Sequence, residues 1–263
     1  MFKNLKYGLI ALVFIFSACD NEKEGSEPLE ANFTVEVEGE APNATLNFVN
    51  ESTGATSYEW SFGEGSNEST STAESPSNIS VDKAGDLTIT LSAIAGNDES
   101  TSEKTVNIAG NSAITEIKDI EFSQVEGSNE LGRFYSISQN RMYLDSEIDE
   151  SNGQFIDLFY KGDNSSFIFF EGPKDNFDGI NVPNAKETKV HNSQSGFEVS
   201  TFDDMDNDAP LEDLTVVNDD NVIGSLDFPL IVTFETEGGK KGAIKLKQIN
   251  STRLLVDIKV QKY

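Results

Sequence analysis

Cysteine is almost missing from this chain of 263 residues, with one at position 19 and none elsewhere. A single thiol closes no disulfide within the chain, builds no thiolate zinc site and leaves the region after it without a thiolate nucleophile. Histidine and tryptophan also occur once each, as His191 and Trp60. One histidine excludes a His-rich metal site. No Gly-x-Ser-x-Gly elbow accompanies it, so no motif assembles a serine hydrolase. His191 lies in the polar run Lys189-Val-His-Asn-Ser193 and is expected to be a solvated loop residue. Basic residues are scarce, 19 Lys and Arg against 46 Asp and Glu, for a net charge of −27. That field repels phosphate backbones and anionic head groups, so neither nucleic acid nor charge-driven membrane binding is expected. Its expected use is solubility.

Long apolar runs are missing too, except at the start. Lys3 and Lys6 precede the uncharged run Tyr7 to Ala18, which is too short to span a bilayer comfortably and gives way at once to acidic polar residues. The pattern is that of a signal peptide over residues 1–18. Its end, Phe16-Ser-Ala-Cys19, resembles the lipobox of bacterial lipoproteins. The resemblance implies cleavage before Cys19, acylation of that residue and a membrane partner reached through its lipid. Residues 19–30 then read as an acidic tether without the apolar side chains needed to pack. Acids just after a lipidated cysteine resemble surface-export signals of some Gram-negative lipoproteins, which implies an outer-membrane, surface-exposed address.

What the chain does have is period-two alternation. Over residues 31–110 it appears at Phe33, Val35 and Val37, at Leu46 and Phe48, at Tyr58, Trp60 and Phe62, at Leu87, Ile89, Leu91 and Ala93, and at Val106 and Ile108, with turn residues between the sets. Short strands at this spacing predict an antiparallel β-sandwich. The segment Ala31-Asn-Phe33, the run Leu46-Asn-Phe-Val-Asn50, the centre Tyr58-Glu-Trp-Ser-Phe-Gly-Glu-Gly65 and the later Leu87-Thr-Ile-Thr-Leu91 together resemble a PKD domain. The resemblance implies an immunoglobulin-like sandwich that serves as a spacer or as a docking surface for proteins and glycans. Ser61 and Glu64 stand where the family usually has Asp, which puts in doubt a cation at this turn. Trp60, between two inward-facing aromatics, is expected to fill the core rather than to stack on a sugar.

After the polar join Asn111-Ser112, residues 113–263 read as a second β-rich domain, so the fold class expected is all-β, two sandwich-like units in tandem. Phe155-Ile-Asp-Leu-Phe-Tyr160 and Phe167-Ile-Phe-Phe170 are apolar on both faces and predict central strands. Leu230, Val232 and Phe234, then Ile244 and Leu246, then Leu254 to Val260 predict a three-strand meander turning at Glu237-Gly-Gly-Lys240. Pro210-Leu-Glu-Asp-Leu214 predicts a helical turn. The region loosely resembles C-terminal domains of other bacterial surface lipoproteins, a resemblance that implies no activity.

Three groupings carry possible chemistry. Asp204, Asp206 and Asp208 alternate like the start of a calcium loop, yet an EF-hand needs Gly and Glu where Ala209 and Thr215 stand. They are calcium candidates only in that limited sense, and no other cofactor is expected. Lys240, Lys241, Lys245 and Lys247 form a basic patch, expected to be edge-strand protection. Paired carboxylates for a glycoside hydrolase are not singled out by any motif among so many acids. The expected function is therefore a non-catalytic surface module that binds a polysaccharide or a protein. A spacer subunit of an outer-membrane complex is the alternative, and a carboxylate-based hydrolase the third reading.

Overall fold

The computed structural model describes residues 27–164, 167–175, 180–193, 196–219, 221–223 and 227–263. The signal segment, Cys19 and most of the acidic tether lie outside them. The regular structure of the described chain is nearly all β and forms two β-sandwiches in tandem.

The N-terminal sandwich faces β1 (Phe33–Glu38), β2 (Ala44–Asn50) and β5 (Ile79–Val81), in the order β1-β2-β5, against β3 (Ser57–Ser61), β4 (Thr70–Ser71), β6 (Gly85–Ala95) and β7 (Asp98–Ile108), in the order β4-β3-β6-β7. The alternating apolar positions meet between the sheets. Phe33, Leu46, Phe62, Ile89 and Leu91 are fully buried there. Trp60 is the centre of this core, 1% exposed, with the rings of Phe33 and Phe48 each 5.1 Å from its own. Its indole N–H donates to the Ala73 carbonyl at 2.9 Å, so the one polar atom of the ring is buried with a partner.

The second sandwich packs the sheet β10-β9-β11-β12 on the sheet β13-β14-β15-β16-β8. The first holds β9 (Phe134–Ser136), β10 (Arg141–Tyr143), β11 (Leu158–Asn164) and β12 (Phe167–Glu171); the second holds β8 (Ile114–Ser123), β13 (Lys189–His191), β14 (Leu230–Glu235), β15 (Lys241–Ile249) and β16 (Arg253–Gln261). Phe122, Tyr160, Phe170, Phe234 and Ile244 are among the side chains filling the space between. Gly242 sits opposite Phe234 in the β14–β15 ladder, where a Cβ would come within 2.3 Å of the Phe234 ring. The absence of a side chain at Gly242 is what leaves room for that ring.

Two sequence expectations need correction. The strand expected from Phe155 begins only at Leu158, because residues Gly153–Phe155 form a 3-10 turn. β12 ends its sheet rather than lying inside it. Ile117 and Ile120 break strict alternation in β8 because Asp119, at φ 58°, forms a bulge where the register with β16 shifts between Val256 and Ile258. The outer face of the five-stranded sheet is covered as well. Helices α1 (Val199–Asp204) and α2 (Ala209–Glu212) place Phe202, Met205 and Leu211 over Ile231 and Ala243, so β14 is apolar on both faces.

Two polar devices close this module. The Asn192 side chain, wholly buried, accepts from the Phe170 N–H at 2.8 Å and donates to the Phe170 carbonyl at 2.8 Å. It pairs with the free edge of β12 as a strand residue would, and so joins the two sheets. Lys259 is 5% exposed and donates to the carbonyls of Phe202 and Met205, each at 2.8 Å. Its ammonium thereby caps the C-terminal end of α1.

The modules meet through side chains as well as the chain between them. Ala113 N–H donates to the Asp82 carbonyl at 2.7 Å and Ala84 N–H to the Ser112 hydroxyl at 3.1 Å. The Asp82 carboxylate accepts from Lys262 at 2.6 Å and from the Tyr263 hydroxyl, while Lys83 lies over the Tyr263 ring at 5.0 Å. Hydrogen bonding to Asp82 raises the Lys262 pKa above the ordinary lysine value. A raised lysine pKa gives stability that is present below the unfolded value and lost as pH rises through the folded one. Asp82→Ala is therefore expected to lower stability by about 1 kcal/mol at neutral pH, modest because Lys262 stays well exposed, and the gap from wild type should close at strongly alkaline pH. Thermal unfolding at both pH values checks this; a gap that persists undiminished at high pH would mean Lys262 is not the partner that matters.

Candidate functional site

A cleft of about 560 Å3 lies in the second sandwich beside the junction with the N-terminal module. Six chain segments build it. β8 brings Thr115, the loop after β9 brings Ile137 and Ser138, the approach to β11 brings Asp157, the segment before β13 brings Lys186, the β14–β15 turn brings Glu237 and Lys240, and the end of β16 brings Val260 and Lys262. No two of these segments are adjacent in sequence. They converge because β9 pairs with β11 and because β14, β15 and β16 form one meander.

Asp157 is the unusual member. It is 6% exposed and accepts from the Ile137 N–H at 2.7 Å. Burial raises its pKa, opposed by backbone N–H groups of Ile137 and Ser138 and by the charge of Lys186. A carboxylate already stripped of most of its water loses little more when a ligand covers it. Lys240 donates to the Lys262 carbonyl at 2.5 Å, and Lys262 is tied to Asp82 across the module junction. The rim is therefore held by the same contacts that hold the modules together.

The basic patch expected on an exposed edge is neither on an edge nor free. β15 lies inside its sheet. Lys241 donates to the Glu212 carbonyl, Lys245 to Asp203 at 2.5 Å, and Lys247 to Asp119 at 2.6 Å and Asp257 at 2.9 Å. Only Lys240 reaches the cleft.

The calcium candidates are not gathered. Asp204 and Asp206 are exposed and Asp208 is buried. Among the described residues no group of three or more His, Cys, Asp or Glu side chains is placed to hold a metal. Carbonyls of the same loop face the Lys259 ammonium instead. Burial raises the Asp208 pKa, against hydrogen bonds from the Ser112 region and Gln261.

His191 is not in a solvated loop. It is a half-buried residue of β13, with Nε2 3.6 Å from the Asp219 carboxylate. Ser193 is nearby, but its hydroxyl donates to Asp219 rather than to the histidine, which is the wrong direction for an activated nucleophile. Burial pushes the Asp219 carboxyl up, and hydrogen bonds from Ser193, Asn192 and Asn221 outweigh it, leaving the pKa below the usual carboxylate value.

Comparison with known proteins bears on the N-terminal half. Residues 30–108 match the family model of the PKD domain. The N-terminal module is a PKD domain. Its immunoglobulin-like sandwich is the one described above, and its Gly63-Glu64-Gly65 turn carries no acidic cluster but a Glu64–Lys83 ion pair. Among solved structures, a DUF4466 family protein from Parabacteroides merdae is similar at a TM-score of 0.39 and 12% identity, over 89% of this chain and 99% of that one. No curated protein matches the chain.

Asp157 and Lys186 were missed by sequence reading. The one available signal was an acid interrupting the apolar run Phe155 to Tyr160. Nothing in the sequence points to Lys186, which gains its place only from the tertiary fold.

Proposed function

We propose that this chain is a lipid-anchored, non-catalytic binding protein of the bacterial outer surface, held by acylation of Cys19, that takes a polar ligand in the cleft beside the PKD module. The observation that carries the binding reading is the preformed cleft with a buried carboxylate at Asp157. Specific sites are concave and largely formed before the ligand arrives, with a few polar groups fixed in place. The PKD module supports the reading by holding the rim of that cleft through Asp82 and Lys262. The address rests on the sequence pattern ending at Cys19.

Cell fractionation and protease shaving of intact cells test the address. Wild-type protein is expected in the membrane fraction and accessible to protease, and Cys19→Ala protein is expected in a soluble fraction. Wild type that is membrane-bound but fully protected would put the protein on the periplasmic side, and a Cys19→Ala variant that stays membrane-bound would remove the lipid anchor from the reading.

The second reading, a rigid spacer within a larger complex, is favoured by the junction itself. Backbone, ion-pair and ring contacts fix one module on the other, as a strut requires. Stoichiometric co-purification of a partner from mildly crosslinked cells would favour it over ligand binding.

A further inference from the structure

We infer that β7 is the docking edge for an extended, basic segment of a partner protein, which adds to the PKD module as a further strand. β7 ends its sheet, beyond β6. The register pairs Ala95 with Asp98 across the two-residue turn Gly96-Asn97 and runs without a shift to Gly85 and Ile108. Residues flanking such a turn share a backbone hydrogen bond, and bonded and non-bonded pairs then alternate along the ladder. Asp98, Ser100, Ser102, Lys104 and Val106 therefore bond to β6. Glu99, Thr101, Glu103, Thr105 and Asn107 turn their N–H and C=O groups to the open side. Among the described residues nothing bonds to those groups.

Most other sheet ends are blunted in the ways that prevent strand addition. β4, β5, β10 and β13 have two or three residues. β8 is bulged at Asp119, and Asn192 occupies the edge of β12. β7 has eleven residues with neither proline nor bulge.

Charge selects the occupant. Residues 30–108 hold 14 Asp and Glu against two Lys and no Arg. Both lysines are engaged, Lys83 by Glu64 and Lys104 by the Phe33 carbonyl and ring. On the outer face of the sheet Glu59, Glu99 and Glu103 are exposed, and none pairs with a described residue. A second copy would set these acids against its own, and like charges across a ladder repel. A basic strand meets them favourably. Alternate side chains of an added strand fall on one face, so Lys or Arg four residues apart lie beside Glu99 and Glu103. The backbone ladder supplies affinity and the acids supply selection. The edge and the cleft lie on different modules, so this docking does not depend on the cleft.

The test is amide hydrogen exchange by NMR on the purified protein, with and without the capped peptide Thr-Lys-Val-Thr-Val-Lys-Thr. In the free protein the amides of Glu99, Thr101, Glu103, Thr105 and Asn107 are expected to exchange fast and those between them slowly. The peptide is expected to slow the fast set several-fold, with an affinity that falls as salt is raised. Glutamate in place of both peptide lysines should weaken binding by about tenfold or more, and N-methylation of the peptide amides that face β7 should abolish it. Glu99→Gln with Glu103→Gln, both exposed, should weaken the lysine peptide several-fold at an unchanged unfolding temperature. Binding without the alternating protection, or undiminished binding of the N-methylated peptide, would overturn strand addition. Equal binding of the glutamate peptide would overturn the basic partner. A dimer that protects the same amides without peptide would make a second copy the occupant and overturn the inference, as would absence of binding at millimolar peptide.

Discussion

Asn192→Leu should destabilise the second sandwich by roughly 3 to 5 kcal/mol. The substitution keeps the volume but deletes both hydrogen bonds to Phe170, leaving a buried N–H and a buried carbonyl unpaired at roughly 1 to 3 kcal/mol each. No water reaches them, since Asn192 is fully buried and Phe170 lies in the core between the sheets. Asn192→Asp should fare no better. Its carboxylate can accept from the Phe170 N–H but cannot donate to the carbonyl, and it adds a buried charge. Denaturant unfolding followed by far-ultraviolet circular dichroism checks both variants: a lowered midpoint at unchanged slope is expected. A loss under 1 kcal/mol for the leucine variant would show that the β12 edge finds another partner.

The second large effect belongs to the PKD module. Trp60→Ala is expected to cost about 3 to 5 kcal/mol, the usual range for removing a buried aromatic, because three rings, those of Phe33, Phe48 and Phe62, lose their common neighbour and the Ala73 carbonyl loses its donor. Trp60→Phe should retain much of the packing and lose chiefly the hydrogen bond. As the sole tryptophan, Trp60 also reports on this module alone. Wild-type fluorescence is expected to be blue-shifted and to move to the red in the unfolding step of the PKD module. An already red-shifted native spectrum would place the indole in water and contradict its burial.

The two modules were unequally legible in sequence, for physical reasons. In the PKD module each strand has one face in the core and one in water, so Phe33, Trp60 and Leu91 announce themselves by alternation. The short strands β4 and β5 escaped notice because two or three residues cannot establish a period. In the second module the meander was legible at Val232, Ile244 and Val256. The strands before it were blurred, because covering helices and bulges make both faces apolar or break the parity. The lysines of β15 show the limit most clearly. Alternating Lys on a strand looks like edge protection, yet here the strand is central and the charges reach acids and carbonyls of flanking elements. The cleft was invisible for a related reason. Asp157, Lys186 and Lys240 are far apart along the chain, and only the closed sandwich brings them together.

The pairing of β8 with β16 has a consequence in time. The first strand of the second module finds its ladder only in the last one, and the Asp119 N–H reaches the Asp257 carboxylate across 138 residues. At a synthesis rate of about 5 to 20 residues per second, β8 waits on the order of ten seconds for its partner. During that interval the PKD module, whose strands all precede it, already has every residue it needs, while the second module has a sheet without its closing seam. The whole five-stranded sheet can form only once its final strand has followed.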